Sequence, residues 1–146
     1  MKSSTGNIHM AGEHFVAAEL SLRNVATTML HKNAKGYDLL AMLPDGTPLS
    51  IQVKASGPHS HAKKSGSWWQ GRIGPIHTGE RNRWWILVDL KENTAPRYFV
   101  VPESVMIATI HAEPPGWSTS RQGWEELDLA AYREGWDDLL GADRGE

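Results

Sequence analysis

The stretch GYDLLAMLPDGTPLSIQVKAS, residues 36–56, decides the fold. It reads as two strands, 37–43 and 49–56, joined at Pro44, Asp45 and Gly46. Pro44 presets φ for the first turn position and Gly46 can take the left-handed conformation. That chemistry suits a type I turn closed by a left-handed glycine bulge. On this register Leu43 faces Thr47, and Asp38 lies opposite Gln52. Directly opposed residues share a face of a sheet, and Lys54, two along from Gln52, joins them. A two-residue turn would set Val53 opposite Asp38 and split the three polar residues across the sheet. Ile51 and Val53 take the other face, the expected core side.

Working outward, residues 1–7 read as a loose end. From Met10 to about Asn24, the residues Phe15, Val16, Leu20 and Leu22 recur at helical spacing. The β-branched segment 25–32 suits a strand. Residues 57–83 are rich in Gly, His and basic side chains and read as one long loop with a short strand at 70–73. A loop of that length is often functional. WWILVDL (84–90) is nearly all apolar, which predicts a central strand buried on both faces. RYFVV (97–101) pairs back onto it, and Pro102 suits the first turn of a helix over 103–112. A last helix is expected over 124–140, with Trp124, Leu127, Ala131, Trp136 and Leu139 near one face, before a loose tail at 141–146. Trp84 and Trp85 are assigned to the core alongside Trp124 and Trp136. The fold class is α/β (α+β), a sheet flanked by an N-terminal helix and C-terminal helices, in a single domain over 1–146.

The chain has 146 residues and no cysteine, which excludes disulfides, zinc–thiolate sites and cysteine nucleophiles. No run of about 18 apolar residues predicts a membrane span, and no apolar signal core predicts export, so a cytoplasmic protein is expected. The net charge of −2 is unevenly spread, at +1 for residues 1–56, +4 for 57–83 and −7 for 84–146. This excludes a uniformly basic nucleic-acid coat and allows a local phosphate-facing patch. Lys35, Lys63, Lys64 and Arg72, with Arg81 and Arg83, are the cations available to line it. Trp68 and Trp69 favour packing or a dimer contact over base stacking. His59 and His61 lack further ligands at metal-site spacing. The carboxylates Glu125, Glu126, Asp128, Asp137 and Asp138 read as a solvated helix face that repels DNA and can serve a basic protein partner.

Asp38, Gln52 and Lys54 are either a solvated strand face or a site. As a site, the Asp38 carboxylate and the Gln52 amide oxygen suit a hard cation such as Mg²⁺ or Mn²⁺. Lys54 can orient an attacking water and offset charge in a phosphodiester's transition state. The pattern of Tyr37-Asp38, a hairpin, then Ile51-Gln52-Val53-Lys54 resembles the PD-(D/E)xK nuclease superfamily, which includes restriction enzymes, archaeal junction resolvases and some homing endonucleases. Tyr37 stands where the superfamily usually has Pro, and Gln52 where it usually has Asp or Glu. The resemblance implies a restriction-endonuclease-like core and a metal held by Asp38, Gln52 and the Val53 carbonyl. It also implies a glutamate from the first helix, for which Glu13 is preferred over Glu19, and a homodimer.

The function expected on these grounds is metal-dependent hydrolysis of DNA phosphodiesters by Glu13, Asp38, Gln52 and Lys54. The rival is a nuclease fold kept as a binding or regulatory module, motivated by the neutral Gln52 and the acidic C-terminal half.

Overall fold

The computed structural model describes residues 5–30, 37–57, 67–70, 82–90, 95–109, 111–112, 122–125 and 129–141. Its element order is α1 (Thr5–Leu22), β1 (Ala26–Met29), β2 (Leu39–Met42), β3 (Pro48–Ser56), β4 (Ser67–Gln70), β5 (Arg83–Asp89) and β6 (Arg97–Pro102). There follow α2 (Glu103–Thr109), β7 (His111–Ala112), β8 (Gln122–Glu125), a 3₁₀ turn (Ala130–Tyr132) and α3 (Trp136–Leu140). The main sheet has five strands in the order β1-β2-β3-β5-β6. It is mixed, because β3 and β5 run parallel while the other neighbours are antiparallel. A second sheet of three strands has the order β4-β8-β7.

The β2–β3 hairpin adopts the register its turn dictates, with Leu39 paired to Ile51 and Met42 to Pro48. Gly46 has φ of 89°, the Gly46 N–H donates to the Leu43 carbonyl at 2.8 Å, and the Leu43 N–H donates to Thr47 at 2.9 Å. The Asp45 side chain accepts from the Thr47 N–H at 2.9 Å, closing an Asx turn over the bend. β3 alternates as expected, burying Leu49, Ile51 and Val53 between the partly exposed Ser50, Gln52 and Lys54. β5 is buried along its whole length, as its unbroken apolar run predicts.

Two apolar layers sandwich β5 and β6. One joins Val16 and Leu20 of α1 to Leu39, Ile51, Val53, Ile86, Val100 and, from α3, Trp136 and Leu139. The other joins Trp85, Leu87, Phe99 and Val101 to Met106 of α2 and Leu129. α1 is stopped by a Schellman motif in which Asn24 takes the left-handed φ of 63°. The Asn24 N–H donates to Ser21 and the Val25 N–H to Leu20, and both Val25 and Leu20 are buried. Gly12 lets α1 lie directly on β3, since a Cβ there would stand 2.6 Å from the Ala55 Cβ.

Several expectations are corrected. α1 begins at Thr5, so residues 5–7 are helical rather than loose, and Phe15 and Leu22 are exposed while Val16 and Leu20 carry the core contact. The strand expected at 70–73 lies at Ser67–Gln70 and pairs with β8. The helix expected over 103–112 ends at Thr109 and is followed by β7. The single helix expected over 124–140 does not form. Trp124 lies on β8 opposite Trp68, Ala131 is exposed in the 3₁₀ turn, and among the described residues of this segment α-helix is confined to Leu129 and Trp136–Leu140. Arg133 is extended and bridges to Phe99, Glu134 takes φ of 54°, and its N–H donates to the Tyr98 carbonyl at 2.9 Å. Pairing with the edge of β6 satisfies backbone groups that a helix through this point would leave unpaired on the strand.

Candidate active site

The apolar stripe of α1 does not end at Val16. One turn earlier it carries Glu13, and one turn before that His9, because residues four apart lie above one another on a helix. The close approach at Gly12 brings both side chains to the start of β2, where Asp38 stands. His9 Nε2 is 2.9 Å from Glu13 Oε1 and 3.6 Å from Asp38 Oδ1. The three ligand atoms all lie within 4.8 Å of one another.

Asp38 is held from the other side by β3. Its N–H donates to the Ile51 carbonyl at 2.8 Å, although Ile51 is already the ladder partner of Leu39. Asp38 thus stands just outside the ladder, which begins at Leu39. The Asp38 Oδ2 then accepts from the Val53 N–H at 2.8 Å and from Gln52 Nε2 at 3.0 Å. An ionised carboxylate only accepts, so Gln52 must present its NH₂ here. Oδ1 is left turned toward α1, at 3.6 Å from His9.

Burial and the crowding of two carboxylates together set the electrostatics. Burial first, and then the charge of Asp38, pushes the Glu13 carboxyl above its usual range, with His9 opposing. His9 is also raised, with the Asp38 contact the largest cause, opposed by burial and by Lys54, and helped by the charge of Glu13. Glu13 is nonetheless the nearer partner in space. Lys54 is lowered by burial, against the pull of Asp38. Its Nζ lies 5.8 Å from the centre of the Trp85 ring, and the Trp85 indole N–H donates to Glu103 Oε1 at 3.2 Å. Glu103 pairs in turn with Arg83, 2.7 Å away and equally buried.

Of the expected site residues, Asp38 and Gln52 are therefore in direct contact, Glu13 faces Asp38 beside His9, and Lys54 lies in the same electrostatic environment. Val53 contributes its N–H to Asp38. Glu19 is turned away into an ion pair with Arg23 at 2.6 Å. Arg83, grouped above with the groove cations, is buried against Glu103 instead. Lys35, Lys63, Lys64, Arg72, His59 and His61 lie outside the described residues. His9 was missed. Its signal was the i, i+4 spacing to Glu13, concealed by starting the helix at Met10.

No protein-family model matches the chain, and no curated protein sequence matches it. Among the solved structures that resemble it are two nucleases. One is a bacterial homing endonuclease, I-Ssp6803I, with a TM-score of 0.64 and 18% identity, covering 98% of this chain and 97% of the other. The other is Hjc, a Holliday junction resolvase from Archaeoglobus fulgidus, with a TM-score of 0.50 and 15% identity, covering 84% of this chain and 92% of the other. The mixed five-stranded sheet with flanking helices is thus an α+β fold shared with these nucleases, in line with the fold that the motif on β2 and β3 implies.

Proposed function

We propose that this chain, built on a restriction-endonuclease-like fold, hydrolyses phosphodiester bonds in DNA with a divalent cation, Mg²⁺ or Mn²⁺. The single observation that carries the reading is the fixed Asp38 carboxylate, clamped by the Val53 N–H and the Gln52 amide and faced by a second carboxylate, Glu13. The residues fit a cation. Burial, and after it the charge of Asp38, pushes Glu13 upward, and a divalent ion between the two carboxylates would relieve their repulsion. Asp38, the Gln52 amide oxygen and the Val53 carbonyl would hold the ion, with Glu13 assisting. Bound there, it would supply positive charge to the phosphate and acidify a water.

The protein's own part is positional. Gln52 and Val53 fix the Asp38 rotamer from β3. Lys54, whose ammonium is disfavoured by burial, is suited to hold the attacking water and share its proton. The face of Trp85 lies beneath Lys54 and limits where its amine can go. The two structural neighbours, an endonuclease and a junction resolvase, support DNA as the substrate class. In this reading Lys35, Lys63, Lys64 and Arg72 meet backbone phosphates and two copies act together on a duplex.

The test is cleavage of supercoiled, branched and single-stranded DNA with Mg²⁺ or Mn²⁺ by wild type, Asp38→Ala and Lys54→Ala. Cleavage that both substitutions abolish supports the assignment, and cleavage unchanged in both sinks it. The rival is a binding module, favoured by the neutral Gln52 that already satisfies Asp38 without a cation. It would show salt-dependent DNA binding with no cleavage and no heat of cation binding.

A further inference from the structure

We infer that His9 is a further ligand of this cation site, making it a mixed nitrogen and oxygen site that favours Mn²⁺, Co²⁺ and Ni²⁺ over Mg²⁺ and Ca²⁺. The inference rests on the metal-site reading above and adds a ligand to it. Ligands about 2.1 Å from one ion stand roughly 3.0 Å apart at octahedral angles and 3.4 Å apart at tetrahedral ones. His9 Nε2 lies 2.9 Å from Glu13 Oε1 and 3.6 Å from Asp38 Oδ1, so it stands near the spacing of a neighbouring ligand from each carboxylate, and the three ligand atoms lie within 4.8 Å of one another. The spacing has a structural cause on each side. His9 and Glu13 are four apart on one helix, and that helix is pressed onto β3 at Gly12. Asp38 has its Oδ2 held by Val53 and Gln52, which leaves Oδ1 toward the helix.

Ligand chemistry then sets the preference. Imidazole suits the transition metals, whereas Mg²⁺ and Ca²⁺ favour oxygen. Glu13 and Asp38 are mostly covered, at 16% and 19% side-chain exposure, while His9 is 42% exposed. The solvent side of the site is therefore the His9 side, where an ion enters and where coordination positions stay accessible to water and phosphate.

The alternative role for His9 is a counter-charge that neutralises the two carboxylates. The two roles predict opposite effects of removal. A ligand strengthens cation binding, and a positive counter-charge weakens it by occupying the site. The experiment is calorimetric titration of the full chain with Mg²⁺, Mn²⁺ and Co²⁺, with visible absorption of the Co²⁺ form, for wild type, His9→Gln, His9→Ala and Asp38→Asn. Far-UV circular dichroism confirms that each variant folds. The expected result is a loss of Co²⁺ affinity of at least tenfold in both His9 variants, a loss of Mg²⁺ affinity of under threefold, and a changed Co²⁺ spectrum. Unchanged or tighter Co²⁺ binding in the His9 variants, with binding abolished in Asp38→Asn, overturns the His9 assignment and leaves the metal-site reading standing. Binding of no divalent ion by wild type overturns both.

Discussion

Replacing Gln52 by glutamate asks whether the amide organises the site by donating to Asp38. Gln52 Nε2 lies 3.0 Å from Asp38 Oδ2, and the substitution puts an acceptor where that donor stood. The lost hydrogen bond to a charged group is worth about 1.5–3 kcal/mol. Two unit charges at that separation repel by about 5 kcal/mol at an effective dielectric of 20. Both side chains keep contact with solvent, so rotation and proton uptake absorb part of this, leaving a net loss of about 2–4 kcal/mol. For a chain of this size that corresponds to roughly 6–15 °C in Tm. The same added charge attracts a cation, so Mn²⁺ affinity should rise at least tenfold, about 1.4 kcal/mol, and restore part of the lost Tm. Thermal unfolding of wild type and Gln52→Glu at neutral pH, in EDTA and in Mn²⁺, checks both halves, with calorimetry for the affinity. A variant as stable as wild type in EDTA and no tighter for Mn²⁺ would refute the idea that the Gln52 amide clamps Asp38.

Other perturbations probe the supports of the site. Gly12→Val places a Cβ 2.6 Å from the Ala55 Cβ, so α1 must lift from β3. A loss of about 1–3 kcal/mol is expected from urea unfolding, with weaker Mn²⁺ binding because His9 and Glu13 withdraw from Asp38. Glu103→Gln removes the carboxylate that faces the buried Arg83 and should cost about 3–5 kcal/mol, whereas Arg83→Met with Glu103→Leu together should cost less than the sum of the two single changes in a double-mutant cycle. The Tyr98 hydroxyl is pushed up to about 12 by burial, with the charges of Glu19 and Glu134 adding to it. The fold therefore retains a proton that the unfolded chain releases near 10, so this contribution is complete below about pH 10 and is lost as pH rises from there toward 12. Tyr98→Phe should flatten that fall in a plot of Tm against pH, and an ultraviolet titration should show a tyrosine ionising late.

The parts of the site legible in the sequence were those set by local chemistry. Pro44, Asp45 and Gly46 specify a turn, the turn specifies the register observed from Leu39 to Met42, and just beyond that ladder the Asp38 and Gln52 side chains meet in a hydrogen bond. The unbroken apolar run of β5 announces burial on both faces for the same reason, since each residue reports its own environment. What escaped depended on groups distant in the chain. Nothing in residues 124–140 reveals that Arg133 and Glu134 will pair with the edge of β6, although Gly135 marks a break in helical preference. Nothing local reveals that Arg83 will be neutralised by Glu103 rather than face solvent. His9 falls between these cases, because the sequence shows its spacing to Glu13 while only the packing at Gly12 shows that both residues reach Asp38. The same distinction bears on Gln52. As a sequence letter it is a departure from the usual carboxylate and weakens the case for a metal. In place, its amide donates to Asp38 and holds that carboxylate's other oxygen toward Glu13 and His9, so the missing negative charge on β3 is matched by a further candidate ligand on α1. Neutral Gln52 and helical His9 are then two halves of one redistribution of the site toward the helix, and substituting both should weaken Co²⁺ binding by a factor other than the product of the single effects.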